Sequence, residues 1–342
     1  MSKLSSSPPT AGGITLLLAC TILLIAVSTI APLASWSNAG SHERPTQSNQ
    51  FEIKSNVNVV LLQVTVRDRE NNLVGSLNQQ NFRIYEDGAL QQMETFSHED
   101  IPITAGLVVD DSGSMQTKRP EVITAAMAFV RSSNPQDEMF VVNFNDRPTF
   151  GLPRNVAFTD QPSQLQLALS GVEATGRTAL YDAIYDAIDR LGQGSHDKKA
   201  LIVVSDGGDN ASRHTLSDTL SAAIKSDATI YTIGIFDEDD RDKNPQVLTK
   251  LARAAGGNVF LPGSLMEVRK ICENIAVEIR NQYTLTYVSS NRKLDGSFRS
   301  VKIKVDAPDR GHLIVRARPG YYAPASSDSR LGVGAQTHAS AN

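Results

Sequence analysis

From Asn58 the chain alternates apolar and polar positions with a period of two. Val60, Leu62, Val64 and Val66 fall on one face, and Leu61, Gln63, Thr65 and Arg67 on the other. That pattern predicts a half-buried strand. A polar turn over Arg67–Asn72 follows. Phe82-Arg-Ile-Tyr-Glu86 predicts a second strand, ended by Asp87-Gly88, a pair that favours a tight hairpin. Gln91 to Phe96 predicts a third.

After Pro102 the pattern changes. Leu107-Val108-Val109 is apolar on both faces and runs into Asp110 and Asp111, then Ser112-Gly113-Ser114. Val122, Ala126, Phe129 and Val130 follow at helical spacing. The alternation of short apolar runs with helical stripes then continues. Glu138–Phe144, Ala200–Ser205 and Thr229–Ile235 read as strands. Helices are expected around Leu165 and Leu169, over Leu180, Ile184, Ile188 and Leu191, over Leu216–Ser226 and over Val247–Ala255. The last helix starts at Ser264-Leu-Met-Glu267, a capping-box pattern. It carries Leu265, Val268, Ile271, Cys272, Ile275 and Ile279 on one stripe. Strand, tight loop and helix in repeated order predict a doubly wound, mostly parallel α/β sheet. Such sheets bind ligands at the carboxyl ends of their strands.

Period-two alternation returns at Tyr283, Leu285 and Tyr287, at Val301, Ile303 and Val305, and at Leu313, Val315 and Ala317. Neither flanking group has enough strands to be stable alone. Both are expected to pair into one small all-β, sandwich-like module, with the α/β domain inserted between its halves. The expected division is 55–100 and 283–323 for the two halves and 101–282 for the insert. Residues 40–54 are read as a linker and 324–342 as a disordered, Ser/Ala/Gly-rich tail.

Composition narrows the class. The 342 residues are 40% hydrophobic with a net charge of −4, which argues against nucleic acid and against a basic membrane-binding surface. Residues 14–31 form an uncharged apolar run, preceded by Lys3 as the only charged side chain. Residues 1–39 are therefore expected to be an export signal or an N-terminal membrane anchor, the chain's sole link to a membrane. The expected location is the periplasm, the cell surface or the medium. Of two cysteines, Cys20 lies in the apolar run and Cys272 in the last helix, so a processed chain has no disulfide framework.

The chemistry centres on Asp110-x-Ser112-x-Ser114. Alternate spacing lets one carboxylate and two hydroxyls converge on a hard cation of the Mg²⁺ or Ca²⁺ kind, not zinc. This D-x-S-x-S pattern resembles the metal-ion-dependent adhesion site of von Willebrand factor type A domains. The resemblance implies two further ligands downstream. Thr178, in Gly176-Arg-Thr178, matches one; Asp206, ending Leu201-Ile-Val-Val-Ser-Asp206, matches the other. It implies that Asp206 acts through a water. The metal, Mg²⁺ with Mn²⁺ or Ca²⁺ as substitutes, then keeps an open position for a Glu or Asp of a protein partner. It also implies that the last helix shifts when the site gains a ligand.

The layout further resembles a group of secreted bacterial proteins called VWFA-related. Phe82 to Gly88, Asn281-Gln-Tyr283 and Arg318-Pro-Gly-Tyr-Tyr322 carry that likeness, which implies a fold and an envelope location but no activity. Competing readings of the same residues are structural. Ser112, Ser114 and Thr178 could cap helices, and Asp206 could be a turn residue. Asp111 is expected to point away from the site by strand alternation; Asp209 and Asn210 are secondary candidates. The acidic loop Asp237–Asp242 lacks the glycine and terminal Glu of a calcium-binding EF-hand. Two other functions stay open, an assembly or chaperone-like subunit of an envelope complex and a metal-dependent hydrolase. Against catalysis, none of the six histidines lies near a second acidic motif, and a nucleophilic triad needs one.

Overall fold

β1 (Val59–Arg67) opens a computed structural model that describes residues 59–236 and 243–325. The N-terminal apolar run, the linker, the acidic loop and nearly all of the tail lie outside the described residues. Among the described residues no helix is long and apolar enough to cross a membrane.

β2 (Phe82–Glu86) and β3 (Ala89–Gln91) form a hairpin. Its turn places Asp87 and Gly88 at φ 47° and 85°, the double left-handed conformation of a type I′ turn. β4 (Met93–Ser97) follows at once. The expected single strand over Gln91–Phe96 is thus divided. Gln91 pairs with Ile84 in one sheet, whereas Met93 pairs with Tyr287 in another. A strand that changes sheets keeps its alternation, so periodicity alone does not reveal the break.

The α/β unit runs β5 (Thr104–Asp110), α1 (Arg119–Ser132), β6 (Glu138–Phe144), β7 (Pro148–Phe150), α2 (Pro162–Ser170), α3 (Leu180–Gly192), β8 (Lys199–Ser205), α4 (Leu216–Lys225), β9 (Thr229–Gly234), α5 (Pro245–Ala254), β10 (Val259–Phe260) and α6 (Leu265–Arg280). Its strand order is β10-β9-β8-β5-β6-β7, parallel except for β7. β5 and β9 are buried at every residue, and β8 at all but its first, as central parallel strands covered on both faces must be. At Gly106 a Cβ would lie 2.5 Å from both Leu201 and Phe140 side chains, so glycine admits those neighbours. The chain leaves β5 toward β6 on one side and returns to β8 on the other. The switch in strand order therefore falls between β5 and β8.

α6 departs from its expected start in one detail. Ser264 does not cap it through its side chain. Glu267 instead reaches back, accepting from Gly263 N at 3.3 Å and Ser264 Oγ at 3.3 Å.

β11 (Tyr283–Val288), β12 (Phe298–Val305), β13 (Ile314–Arg316) and β14 (Gly320–Tyr322) complete the chain. They assemble with β1–β4 into two four-stranded sheets, β13-β1-β11-β4 and β14-β12-β2-β3. Both are antiparallel, and each combines two strands from before the α/β unit with two from after it, alternating in the first sheet and side by side in the second. Val60, Leu62, Val64, Tyr283, Leu285 and Tyr287 of one sheet pack on Phe82, Ile84 and Val301 of the other. Buried Glu86 ties the layers together. It accepts from Tyr287 and Tyr321 hydroxyls at 2.8 and 2.9 Å and from Ser289 at 2.6 Å, and it lies 3.3 Å from the Arg299 guanidinium.

The β module and the α/β unit belong to one compact body. Glu278 of α6 is buried and accepts from Arg67 Nη2 at 2.5 Å, Arg316 Nη2 at 3.0 Å, Tyr231 OH at 3.1 Å and Thr65 Oγ1 at 3.2 Å. One carboxylate thus joins α6, β1, β13 and β9. Lys198 Nζ, also buried, donates to Ile279 O at the carboxyl end of the same helix.

Candidate functional site

Asp110 is the last residue of β5, and Ser205 the last of β8, its direct neighbour. Both strands end where the strand order reverses, the ordinary ligand position of an open α/β sheet. Asp110 is fixed from two sides. Its Oδ1 accepts from Ser112 N at 2.9 Å, and its Oδ2 accepts from Ser205 Oγ at 2.6 Å. Ser205 in turn accepts from Gly207 N at 3.0 Å. Gly207 has φ 80°, and a Cβ there would meet Asn244 O at 2.4 Å, so only glycine makes this turn without strain.

Ser112, Gly113 and Ser114 enter a single 3₁₀ turn before α1. Ser112 occupies its cap position but makes no side-chain capping bond. Its hydroxyl instead lies 3.1 Å from that of Ser114, which donates to Asp206 Oδ2 at 2.6 Å. Asp206 Oδ1 accepts from Gly208 N at 2.9 Å. Asp110, Ser112, Ser114 and Asp206 are thereby brought into one hydrogen-bonded group. Ser114 is exposed and the other three are buried, so the group opens to solvent on one side.

Thr178 joins through the backbone. Gly113 N donates to Gly176 O at 3.2 Å, and Thr175 N to Asp111 O at 2.8 Å. The cap position of α3 belongs to Ala179, not Thr178. Thr178 N is taken by Asn210 Oδ1 at 2.9 Å, and Thr178 O accepts from Asn210 N and Ala211 N. Its hydroxyl has no hydrogen-bond partner among the described residues. Asp209 accepts from Tyr181 N at 3.0 Å and Ser212 Oγ at 2.6 Å. Asp209 and Asn210 therefore hold the rim loop and the start of α3. Asp111 is fully buried in an ion pair with Arg119 of α1. Ser205 is the residue that spacing did not single out; its place between the apolar strand and Asp206 was the available signal.

Burial, reinforced by the charge of Asp206, pushes Asp110 up to about 6, against the opposing hydrogen bonds from Ser112 and Ser205. Two buried carboxylates that repel each other, with three hydroxyl-bearing residues around them, form an all-oxygen donor set. That set fits a hard divalent cation, whose charge would offset the repulsion. Among the described residues no three His, Cys, Asp or Glu side chains gather in a metal-ligating arrangement, so the set depends on its hydroxyls.

The fold also brings together a pair that the sequence keeps apart. His214 Nδ1 lies 2.7 Å from Asp182, which accepts as well from the backbone of Arg213 and His214. Burial favours the neutral acid, but these hydrogen bonds outweigh it and hold Asp182 below the usual carboxylate range. The His214 ring stacks on Tyr185 with centroids 4.0 Å apart. The nearby Ser212 hydroxyl donates to Asp209 at 2.6 Å.

Residues 106–274 match the von Willebrand factor type A domain, so the α/β unit is a domain of that family. Among solved structures the chain resembles a von Willebrand factor type A protein from Catenulispora acidiphila, with 14% identity, a TM-score of 0.47 and coverage of 80% of this chain and 76% of that one. It also resembles the vWF domain of the type V pili tip protein Mfa5 from Porphyromonas gingivalis, with 14% identity, a TM-score of 0.45 and coverage of 53% and 95%. A third is BatB from Bacteroides thetaiotaomicron, with 17% identity, a TM-score of 0.41 and coverage of 52% and 98%. No curated protein matches the chain.

Proposed function

We propose that the chain is an exported binding protein that captures an acidic residue of a protein partner at a metal site. Asp110, Ser112, Ser114 and Thr178 would hold Mg²⁺, with Mn²⁺ or Ca²⁺ as substitutes, and Asp206 would act through a water. A cation in this donor set supplies an electrophilic position for an external carboxylate. Asp110 then contributes the only direct negative charge, while the Ser114 hydroxyl, beside that of Ser112, turns to Asp206. The reading is one of binding without catalysis. Residues 1–39 serve as leader or anchor and 40–54 as linker. The β module, residues 55–100 and 283–323, supports the insert at 101–282.

The observation that carries this reading is the contact of Ser114 with Asp206 at 2.6 Å, beside a buried Asp110, across 92 residues of chain. Isothermal calorimetry with MgCl₂ tests it. The wild-type protein should bind Mg²⁺, and Asp110→Ala should abolish the binding while the fold, read by circular dichroism, is kept. Undiminished Mg²⁺ binding by Asp110→Ala would refute the assignment.

A further inference from the structure

Arg177 stands between Gly176, whose carbonyl takes the Gly113 amide of the motif loop, and Thr178. It is 66% exposed, at the rim of a site whose carboxylates are buried. Its position is nonetheless fixed. Asp146, in the hairpin between β6 and β7, accepts at one oxygen from both Arg177 N (3.2 Å) and Arg177 Nε (3.1 Å). The adjacent backbone is shaped for the same contact. Gly176 has φ 80°, and a Cβ there would lie 2.6 Å from Asp146 Oδ2. Asn145, on the same hairpin, accepts from Ala179 N at 2.8 Å, so the hairpin is tied to both sides of Arg177.

Asp146 uses only the Nε position. Among the described residues neither Nη atom has a hydrogen-bond partner. A guanidinium held at Nε keeps its Nη edge as a ready fork for a second carboxylate, the geometry in which arginine binds such groups with two parallel hydrogen bonds. An exposed arginine paired merely for surface stability would gain little from this tether.

We propose that Arg177 is a second anchor for the partner. One ligand carboxylate would sit at the metal site while another takes the Arg177 fork, so the ligand is a protein segment with two neighbouring acidic side chains. The proposal rests on the metal-site reading above. It goes further by defining the partner as di-acidic and assigning the second contact to a residue outside the metal ligands.

The test uses fluorescein-labelled Gly/Ser peptides carrying one glutamate, or two glutamates at varied separation, titrated with the protein in MgCl₂ and read by anisotropy. The best two-glutamate peptide should bind about tenfold tighter than the one-glutamate peptide, the gain of one charge-assisted bidentate contact. Arg177→Ala should remove that gain while leaving the one-glutamate affinity and Mg²⁺ binding intact. Arg177→Lys, which keeps the charge but not the fork, should recover only part of it. Equal affinities for the two peptide classes, or a two-glutamate advantage that survives Arg177→Ala, would overturn the Arg177 assignment alone. Binding that persists in EDTA and in Asp110→Ala, or no Mg²⁺-dependent binding by any peptide, would overturn the metal-site reading itself.

Discussion

Replacing Glu278 by alanine should be among the most damaging single changes that leave the candidate site untouched. The carboxylate is 2% exposed, and the Arg67 and Arg316 side chains that meet it are 14% and 21% exposed. Its removal strands two largely buried guanidinium groups and leaves the Thr65 and Tyr231 hydroxyls without their acceptor. Breaking a buried ion pair from one side costs about 3–5 kcal/mol. The residual solvent access of the arginines favours the lower end, about 3 kcal/mol. For a folded body of this size that is a fall in Tm of roughly 6–12 °C. Urea denaturation followed by tryptophan-independent far-UV circular dichroism would give the free energy, and calorimetry the Tm. Glu278→Gln, which keeps the shape and an acceptor oxygen, should lose less. Lys270→Ala is the control, because Lys270 pairs with Glu273 at 3.7 Å on the exposed side of the same helix, and it should leave Tm unchanged. A loss below about 1 kcal/mol for Glu278→Ala would refute the claim that this carboxylate fastens α6 to the β module.

Other perturbations follow from the same structure. Burial, with a smaller contribution from Asp100, pushes Asp137 up to about 6, against amide bonds from Ile103 and Asn134 and the charge of His196. The folded state therefore holds this proton more tightly than the unfolded chain between about pH 4 and 6, so the group's contribution to stability falls as pH rises through that window. Asp137→Asn should flatten this segment of a stability–pH curve. Burial pushes the Cys272 thiol up to about 12, so in a Cys20→Ser protein a thiol reagent should label Cys272 only after denaturant is added. A Cβ at Gly257 would lie 2.0 Å from Ile230 O in β9. Gly257→Ala should destabilise the protein by more than about 2 kcal/mol in urea titration, because the clash is with backbone that cannot turn aside.

The parts of the fold that sequence patterning reveals are those long enough to show a period. β1 alternates over nine residues, and α6 carries its apolar stripe over sixteen. β7, β10 and β14 have three, two and three residues, too few to show any period. Glu278 escaped for a different reason. It sits between Ile275 and Ile279 on the helix, where a charged residue reads as the solvated border of the stripe, and only strands β9, β13 and β1, the last more than two hundred residues away, turn that border inward. The same distance hides Glu86. It is legible as part of Phe82–Gly88, but its partners Tyr287 and Tyr321 come from two strands beyond the insert. At the site, the loop Asp110–Ser114 is legible because its spacing is local. The Ser205 hydroxyl that orients Asp110 is not, since serine before aspartate carries no period and no charge.

The junction between the two parts has a mechanical consequence. The chain leaves the β module after Ser97 and re-enters it at Tyr283, and Ser97 lies opposite Thr284 in the β4–β11 ladder. The α/β unit thus hangs from one pair of adjacent strands, outside the path that joins the first strand to the last. A pull applied where the chain enters β1 at Val59, resisted at the carboxyl ends of the parallel strands, would load β1 lengthwise against β11 over the six paired positions from Val59 to Val64. In that direction the rungs must yield together and not one after another, so the junction resists tension better than a ladder peeled from one end.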